Sequence, residues 1–317
     1  MRVILAPMEG LVDDVMRGVL TGCTRYDWCV SEFIRVTSTQ LPDRVFRRIC
    51  PELDHGAKTR AGTPLRVQLL GSDPALMAAN AARAAVFDPY GIDLNFGCPA
   101  PMVNRHRGGA ALLDEPELLC AIASAVRAAV PSHLPVTAKL RLGIRDTTRT
   151  IECVQALEAG GASELVLHAR TKADGYRPPA RWEWLAKARE AVAIPVIANG
   201  EVWTAEDWQR CREISGCTDI MIGRGAVADP FLASRLRGEP AGGWPDLADP
   251  LLDFWSGVQA KVEPRHAPGR LKQWLMLLRR TWPEAEALFW QIRPLRHSAE
   301  ITPVLKAAFG RPLREAA

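Results

Sequence analysis

The sequence predicts a closed barrel of eight β/α units followed by a small helical domain, and three observations carry that expectation. Eight short apolar runs recur up to Gly225, at 2–5, 27–30, 65–70, 91–94, 136–140, 164–168, 196–198 and 219–222. A segment of helical periodicity follows each run, and alternation sustained this long means parallel strands joined by helical crossovers. A count of eight favours the (β/α)8, or TIM, barrel over an open doubly wound sheet. Near Arg235 the alternation stops, and beyond residue 250 only helical patterns remain.

Helix starts support this order. Asp73-Pro74 and Asp114-Glu115-Pro116 place an acid one or two residues before a proline suited to the first helical turn, and Thr204-Ala205-Glu206-Asp207 resembles a capping box. No Gly-x-Gly-x-x-Gly follows the first run, which argues against a Rossmann nucleotide site. The barrel is expected over 1–237 and a Pro/Gly-rich linker over 238–249. A helical domain is expected over 250–317, with helices near 250–262, 269–281, 284–293 and 298–309.

Composition sets the remaining bounds. A chain of 317 residues, 48% hydrophobic and 24% charged, can bury a large barrel core and a small appendage. There is no apolar run of about eighteen residues, and the apolar stretch at 1–7 is too short for a signal-peptide core, so a cytoplasmic protein without membrane contact is expected; a monomer is expected as well. The eight cysteines show no Cys-x-x-Cys pairs and no histidines at ligand spacing, so no metal is expected. The net charge of +4 is uneven: residues 261–317 carry eleven Lys/Arg against five Glu, a net of +6, which leaves the first 260 residues at −2.

In a barrel, chemistry gathers at the carboxyl ends of the strands. The stretch Gly91-Ile92-Asp93-Leu94-Asn95-Phe96-Gly97-Cys98-Pro99 puts Asp93 and Asn95 on the face opposite Ile92 and Leu94, and then presents one thiol in a tight turn. The basic, glycine-rich loop 104–109 follows it. The other strand ends carry Pro7-Met8-Glu9, Gln68 beside Arg66, Lys139 between Thr137 and Arg141, His168, Asn199-Gly200-Glu201 and Gly223-Arg224. An ammonium such as Lys139 is not buried among aliphatics without an anionic partner, so something bound should neutralise it. Glycines after the last two strands are where such barrels bind phosphate. In the helical tail, Leu271, Trp274, Leu275 and Leu278 form an apolar stripe while Lys272 and Arg279 share another face. Tryptophans and clustered cations in such a module can stack on bases and track phosphates.

The run Asp93-Leu94-Asn95-x-Gly97-Cys98-Pro99, followed by Gly109-Ala110, resembles the signature of the tRNA-dihydrouridine synthases, flavoenzymes that reduce uridine in tRNA. The resemblance covers nearly the whole chain. It is closest to the C subfamily, whose members modify the uridine at position 16, with Ala-Pro-Met-Glu-Gly (6–10), Arg-Ile-Cys-Pro-Glu-Leu (48–53), His-x-Arg-Thr-Lys-x-x-Gly-Tyr-Arg (168–177) and Lys-Gln-Trp-Leu (272–275) all present. Two departures are Phe96, in place of a cysteine, and Ala100-Pro101, in place of serine and a polar residue.

The resemblance implies FMN held by Pro7, Met8, Glu9, Gln68, Lys139, His168, Asn199, Gly200, Glu201, Gly223 and Arg224, with NADPH or NADH as electron donor. It implies hydride transfer to uracil carbon 6 and protonation of carbon 5 by Cys98, a role suited to a thiol with an ordinary pKa of about 8.5. Asn95 and Tyr176 are expected on the base, and Arg35, Lys272, Trp274 and Arg279 on the tRNA. An FMN barrel for a free small molecule, such as a dihydroorotate or enoate, would not need the basic helical domain. A non-catalytic RNA-binding or flavin-sensing protein would not need a thiol at Cys98.

Overall fold

The computed structural model describes residues 1–105 and 107–310; His106, and Arg311, Arg314 and Glu315 of the charge count above, lie outside the described residues. Nine strands form one all-parallel sheet: β1 (Val3–Leu5), β2 (Trp28–Val30), β3 (Ile34–Arg35), β4 (Leu65–Leu70), β5 (Gly91–Phe96), β6 (Val136–Arg141), β7 (Leu165–His168), β8 (Val196–Asn199) and β9 (Ile220–Ile222). Because β1 pairs with both β2 and β9, and β2 pairs with β4, eight of them close into the expected TIM barrel. The ninth, β3, adds two residues beside the end of β4 and brings Arg35 to the rim. Two residues are too short to leave a periodic signal, so this strand was invisible in the sequence.

Around the barrel run α1 (Asp14–Cys23), α2 (Asp43–Ile49), α3 (Pro74–Ala85), α4 (Pro101–Arg105), α5 (Pro116–Ala129), α6 (Thr150–Ala159), α7 (Glu183–Ala191), α8 (Ala205–Ser215), α9 (Arg224–Ala228) and α10 (Leu232–Arg237). Asp73 caps α3 by accepting from the Leu76 N–H at 2.8 Å, and Thr204 with Asp207 forms the capping box of α8. The acids before Pro116 make no side-chain cap, so proline alone marks that start.

Strand alternation sorts the side chains. Ile92 and Leu94 point outward into the main core, packed under the helices. Ile4, Ala6, Trp28, Val30, Val166, Ile197 and Met221 form a second apolar cluster inside the barrel. Each buried aliphatic side chain contributes about 1.5–3 kcal/mol. The amino-terminal end of the barrel is closed by charge: Glu164 pairs with Arg66 and, at 2.9 Å, with Arg2, while both guanidiniums stack on Trp28. That leaves the carboxyl end as the open one.

Four helices follow: α11 (Ala248–Lys261), α12 (Ala267–Leu278), α13 (Pro283–Ile292) and α14 (Ser298–Ala307). The Pro/Gly-rich stretch before them is a packed strap: Arg235 donates to the Gly242 carbonyl at 2.7 Å, and Trp244 stacks on Phe309 with centroids 5.2 Å apart. Trp274, expected on tRNA, is instead fully buried. Its Nε1 donates to the Val227 carbonyl at 3.0 Å and its ring meets Phe254 at 4.8 Å, so it joins the helical domain to the barrel and has no face free for a base. Lys272 and Arg279 also differ from expectation. Lys272 Nζ donates to the Leu295 carbonyl at 2.6 Å, and Arg279 pairs with Glu286 at 3.3 Å while lying over Phe289. Both turn toward the neighbouring helices, and neither lines the barrel mouth.

Candidate active site at the barrel mouth

Strand register brings the polar side chains to common levels: Gln68 lies opposite Asp93, Asn95 opposite Lys139, and His168 opposite Asn199. Thr137, Asp93, Gln68 and Asn95 form one chain of hydrogen bonds down the barrel wall. Thr137 and Gln68 both donate to the Asp93 carboxylate, at 2.6 and 2.7 Å, and the Asn95 side-chain amide donates to Gln68 Oε1 at 2.7 Å. Burial pushes the Asp93 carboxyl up, and these donors oppose the shift.

The chain ends at the thiol loop. Asn95 Oδ1 accepts from the N–H groups of Gly97 at 3.0 Å and Cys98 at 2.8 Å. The Cys98 carbonyl accepts from Ala110 N–H at 3.0 Å and from Asn104 Nδ2 at 2.9 Å. Gly109 sits at φ +61°, and a Cβ there would stand 2.8 Å from the Cys98 carbonyl oxygen, so only glycine lets the loop return so close. Asn95, expected on a substrate base, has its oxygen committed to this turn and keeps one amide N–H for a ligand. Burial pushes the Cys98 thiol pKa up and Glu9 adds to that, while the Ala100 backbone and the charges of Arg141 and Arg35 oppose it. The group stays a thiol at neutral pH.

The mouth itself is a cavity of about 640 Å³, within the range of small-molecule and cofactor sites. Its walls include Pro7, Met8, Glu9, Gln68, Asn95, Cys98, Lys139, His168, Tyr176, Asn199, Gly200, Glu201, Gly223 and Arg224. Thus every residue expected to hold the cofactor faces one space, with the thiol in the same wall. Arg35 stands outside it, near enough to act on Cys98 electrostatically. Sequence reasoning missed Arg170, Trp203 and Gln273, which also line the cavity. Trp203 stands two residues after Asn199-Gly200-Glu201, so its strand-end position was the available signal; Gln273 lies inside the Lys-Gln-Trp-Leu run (272–275), which is where its signal was.

Lys139 Nζ donates to Asn199 Oδ1 at 3.0 Å and, among the described residues, pairs with no carboxylate. The enclosing barrel and the charge of Arg141 lower its pKa to about 8, against a smaller pull from Asp93. Its side chain keeps some exposed surface only because it faces the cavity. His168 is held neutral, chiefly by burial and then by Arg141, Lys139, Arg170 and Arg224. Arg170 approaches His168 Nε2 at 3.4 Å, and since a guanidinium only donates, this contact assigns the lone pair to Nε2. Glu201 spends Oε2 on Arg170, at 2.5 Å, and on the Ala180 N–H.

These features suit an anionic, flat-ringed occupant. Lys139 and Arg224 are cations without a carboxylate pair among the described residues. Gly200, at φ +116°, and Gly223 let the wall close tightly: a Cβ would stand 2.8 Å from His168 Cδ2 at the first and 3.2 Å from Met8 Sδ at the second. The helix after Gly223, α9, has only five residues, so the two side-chain cations carry the anion recognition. Among the described residues no group of three or more His, Cys, Asp or Glu is placed to hold a metal ion. Among the described residues no helix is long and apolar enough to cross a membrane. All eight cysteines are free thiols.

Comparison with known proteins bears on the fold and the family. Among solved structures, a 2-naphthoyl-CoA reductase complex superposes with a TM-score of 0.58 at 11% identity, over 75% of this chain and 50% of that one. Histamine dehydrogenase from Rhizobium sp. 4-9 gives 0.57 at 14%, over 80% and 48%. At such identities the likeness establishes the barrel alone. Sequence relatives are much nearer. A protein of Ralstonia nicotianae named tRNA-dihydrouridine(16) synthase is 56% identical over 315 residues, 98% of this chain and 97% of its own length. Those of Pseudomonas putida, 53% identical over 96% of both chains, and of Neisseria meningitidis serogroup B, 46% over 98% and 96%, carry the same name. The family model described as dihydrouridine synthase matches residues 4–262. With a match across the barrel and relatives this similar over nearly its full length, the chain belongs to the dihydrouridine synthase family of oxidoreductases.

Proposed function

We propose that this protein reduces a uridine in the D-loop of tRNA, at position 16, to 5,6-dihydrouridine. The observation that carries the reading is the Cys98 thiol, kept protonated and fixed by its backbone hydrogen bonds in the wall of a cationic cavity. The position rests on the shared name of the relatives.

FMN suits the cavity. Lys139 and Arg224 would neutralise its phosphate and ring dipoles, Gly200 and Gly223 would bring the backbone close to it, and Met8, Glu9, Pro7, Gln68, His168, Asn199 and Glu201 would form its walls. When bound, it supplies the hydride for uracil carbon 6, drawn from NADPH or NADH. The chain's own residues do the rest. Cys98 gives its proton to carbon 5, the remaining Asn95 amide N–H reaches a uracil oxygen, and Tyr176 covers the base. The Tyr176 ring is half exposed at the cavity edge, with the Arg141 guanidinium 5.3 Å and that of Arg224 4.4 Å from its centroid. A base inside a stack cannot reach a thiol at this depth, so the uridine must be flipped out, at a cost of a few kcal/mol offset by contacts along the tRNA. Gln273 and Arg270, which donate to the Gly10 carbonyl at 3.2 and 2.7 Å, bring the helical domain to the lip, where those contacts can form.

The decisive experiment maps dihydrouridine position by position in tRNA from cells lacking the protein, and again after the gene is restored. Loss and recovery at position 16 alone is the expected result. An unchanged modification profile would refute the reading.

A further inference from the structure

We propose that Arg280 is a preset grip for a phosphodiester of the RNA strand entering the barrel mouth, with Trp203 as the positioning residue that holds it; this rests on the reading of the chain as an enzyme of tRNA. The observation is a ladder of stacked groups. The Arg224 guanidinium lies 4.4 Å from the Tyr176 ring centroid and 5.2 Å from the Trp203 centroid. The Arg280 guanidinium then lies 3.8 Å from that same Trp203 centroid. Tyr176, Arg224 and Trp203 line the cavity, while Arg280 stands two residues past the end of α12 and belongs to the helical domain. One indole therefore carries an inner guanidinium and an outer one.

Stacking occupies the faces of a guanidinium and leaves the N–H donors at its edge free, in the fork that matches two phosphate oxygens. Arg280 is exposed, and among the described residues no carboxylate pairs with it. Its neighbours in sequence are otherwise engaged: Lys261 with Asp14, Arg265 with Glu263, Arg270 with Asp13, Arg279 with Glu286 and Lys272 with the Leu295 carbonyl. Arg280 also crowds Arg224 electrostatically. Two guanidiniums held around one ring, without a carboxylate between them, are relieved when an anion arrives. A phosphate on the nicotinamide donor shares this chemistry. The place of Arg280 outside the cavity walls favours RNA, because a small donor needs nothing beyond the barrel loops.

The test uses full-length, flavin-loaded protein with native tRNA. Affinity is measured across a salt series, beside flavin content and the rate of flavin reduction by NADPH. R280E should weaken tRNA binding about tenfold or more and flatten the slope of log affinity on log salt by about one, with flavin content and reduction rate unchanged. R280K and W203L keep the charge, so the slope should stay while affinity falls, as expected for lost two-pronged geometry and a lost platform. Wild-type affinity and slope in R280E would overturn the proposal. So would a defect confined to NADPH-driven reduction, which would assign the grip to the dinucleotide. A wild-type protein that binds tRNA with the expected salt slope but forms no dihydrouridine would instead refute the reading of its function, leaving the phosphate contact standing.

Discussion

A thiol that acts as a proton donor at neutral pH has to remain protonated until its substrate arrives, and burial at Cys98 works in that direction. Cys98→Ala should therefore keep its flavin and its reduction by NADPH yet form little dihydrouridine, because proton delivery belongs to the second half-reaction alone. Product formation in the wild type should hold through neutral pH and fall only above the ordinary thiol range, while flavin reduction continues. Single-turnover measurements of the two half-reactions across pH would separate them. Lys139 offers a second test. Its pKa of about 8 lies below the ordinary 10.5, so between those values the unfolded chain binds the extra proton and stability rises with pH. In the flavin-free protein, unfolding free energy should increase from about pH 8 toward 10.5, and Lys139→Met should remove that rise. The same substitution should lower flavin occupancy, read from the absorbance of the purified protein.

At the scale of elements, the loop from Cys98 to Gly109 shows how turn chemistry positions a reactive atom. Gly109→Ala adds a methyl 2.8 Å from the Cys98 carbonyl oxygen at a φ of +61°, which disfavours the native turn by about 1 kcal/mol or more. The expected outcome is lower dihydrouridine formation with flavin content retained. A glycine-to-alanine change at Gly18 within α1, where nothing lies within 4 Å, serves as the control with full activity. The Thr204–Asp207 box at the start of α8 was legible from four residues, because a cap depends on local spacing. Thr204→Ala should cost about 1 kcal/mol of stability, measured by urea unfolding, without touching the site.

For the whole molecule, the helical domain behaves as part of the barrel's core rather than as a tethered appendage. Trp274 bonds to Val227, Arg270 to Gly10 and Asp13, and Lys261 to Asp14. Barrel and helices should therefore unfold in one transition, and Trp274→Ala should cost about 3–5 kcal/mol by denaturant unfolding. Reversing the charges of Lys272 and Arg279 should leave tRNA affinity and its salt slope nearly unchanged, since both cations are spent on α13 and its following turn.

The sequence by itself determined the barrel, its open end and nearly all of the candidate site. Period-two alternation in strands such as Gly91–Phe96 decides which side chains face inward, and barrel closure brings strand ends together whatever the loops do. Glycine and proline then mark the turns because their backbone limits are local. Only the tertiary structure decided which way the last helices point. A helical stripe says that Leu271, Trp274 and Leu278 share a face, and that Lys272 and Arg279 share another, but not which neighbour each face meets. Docking against Val227 buried Trp274 and turned Lys272 and Arg279 toward α13 and α14. It left Arg280 exposed and stacked on Trp203, because which face of a helix meets a barrel depends on packing between residues far apart in the chain.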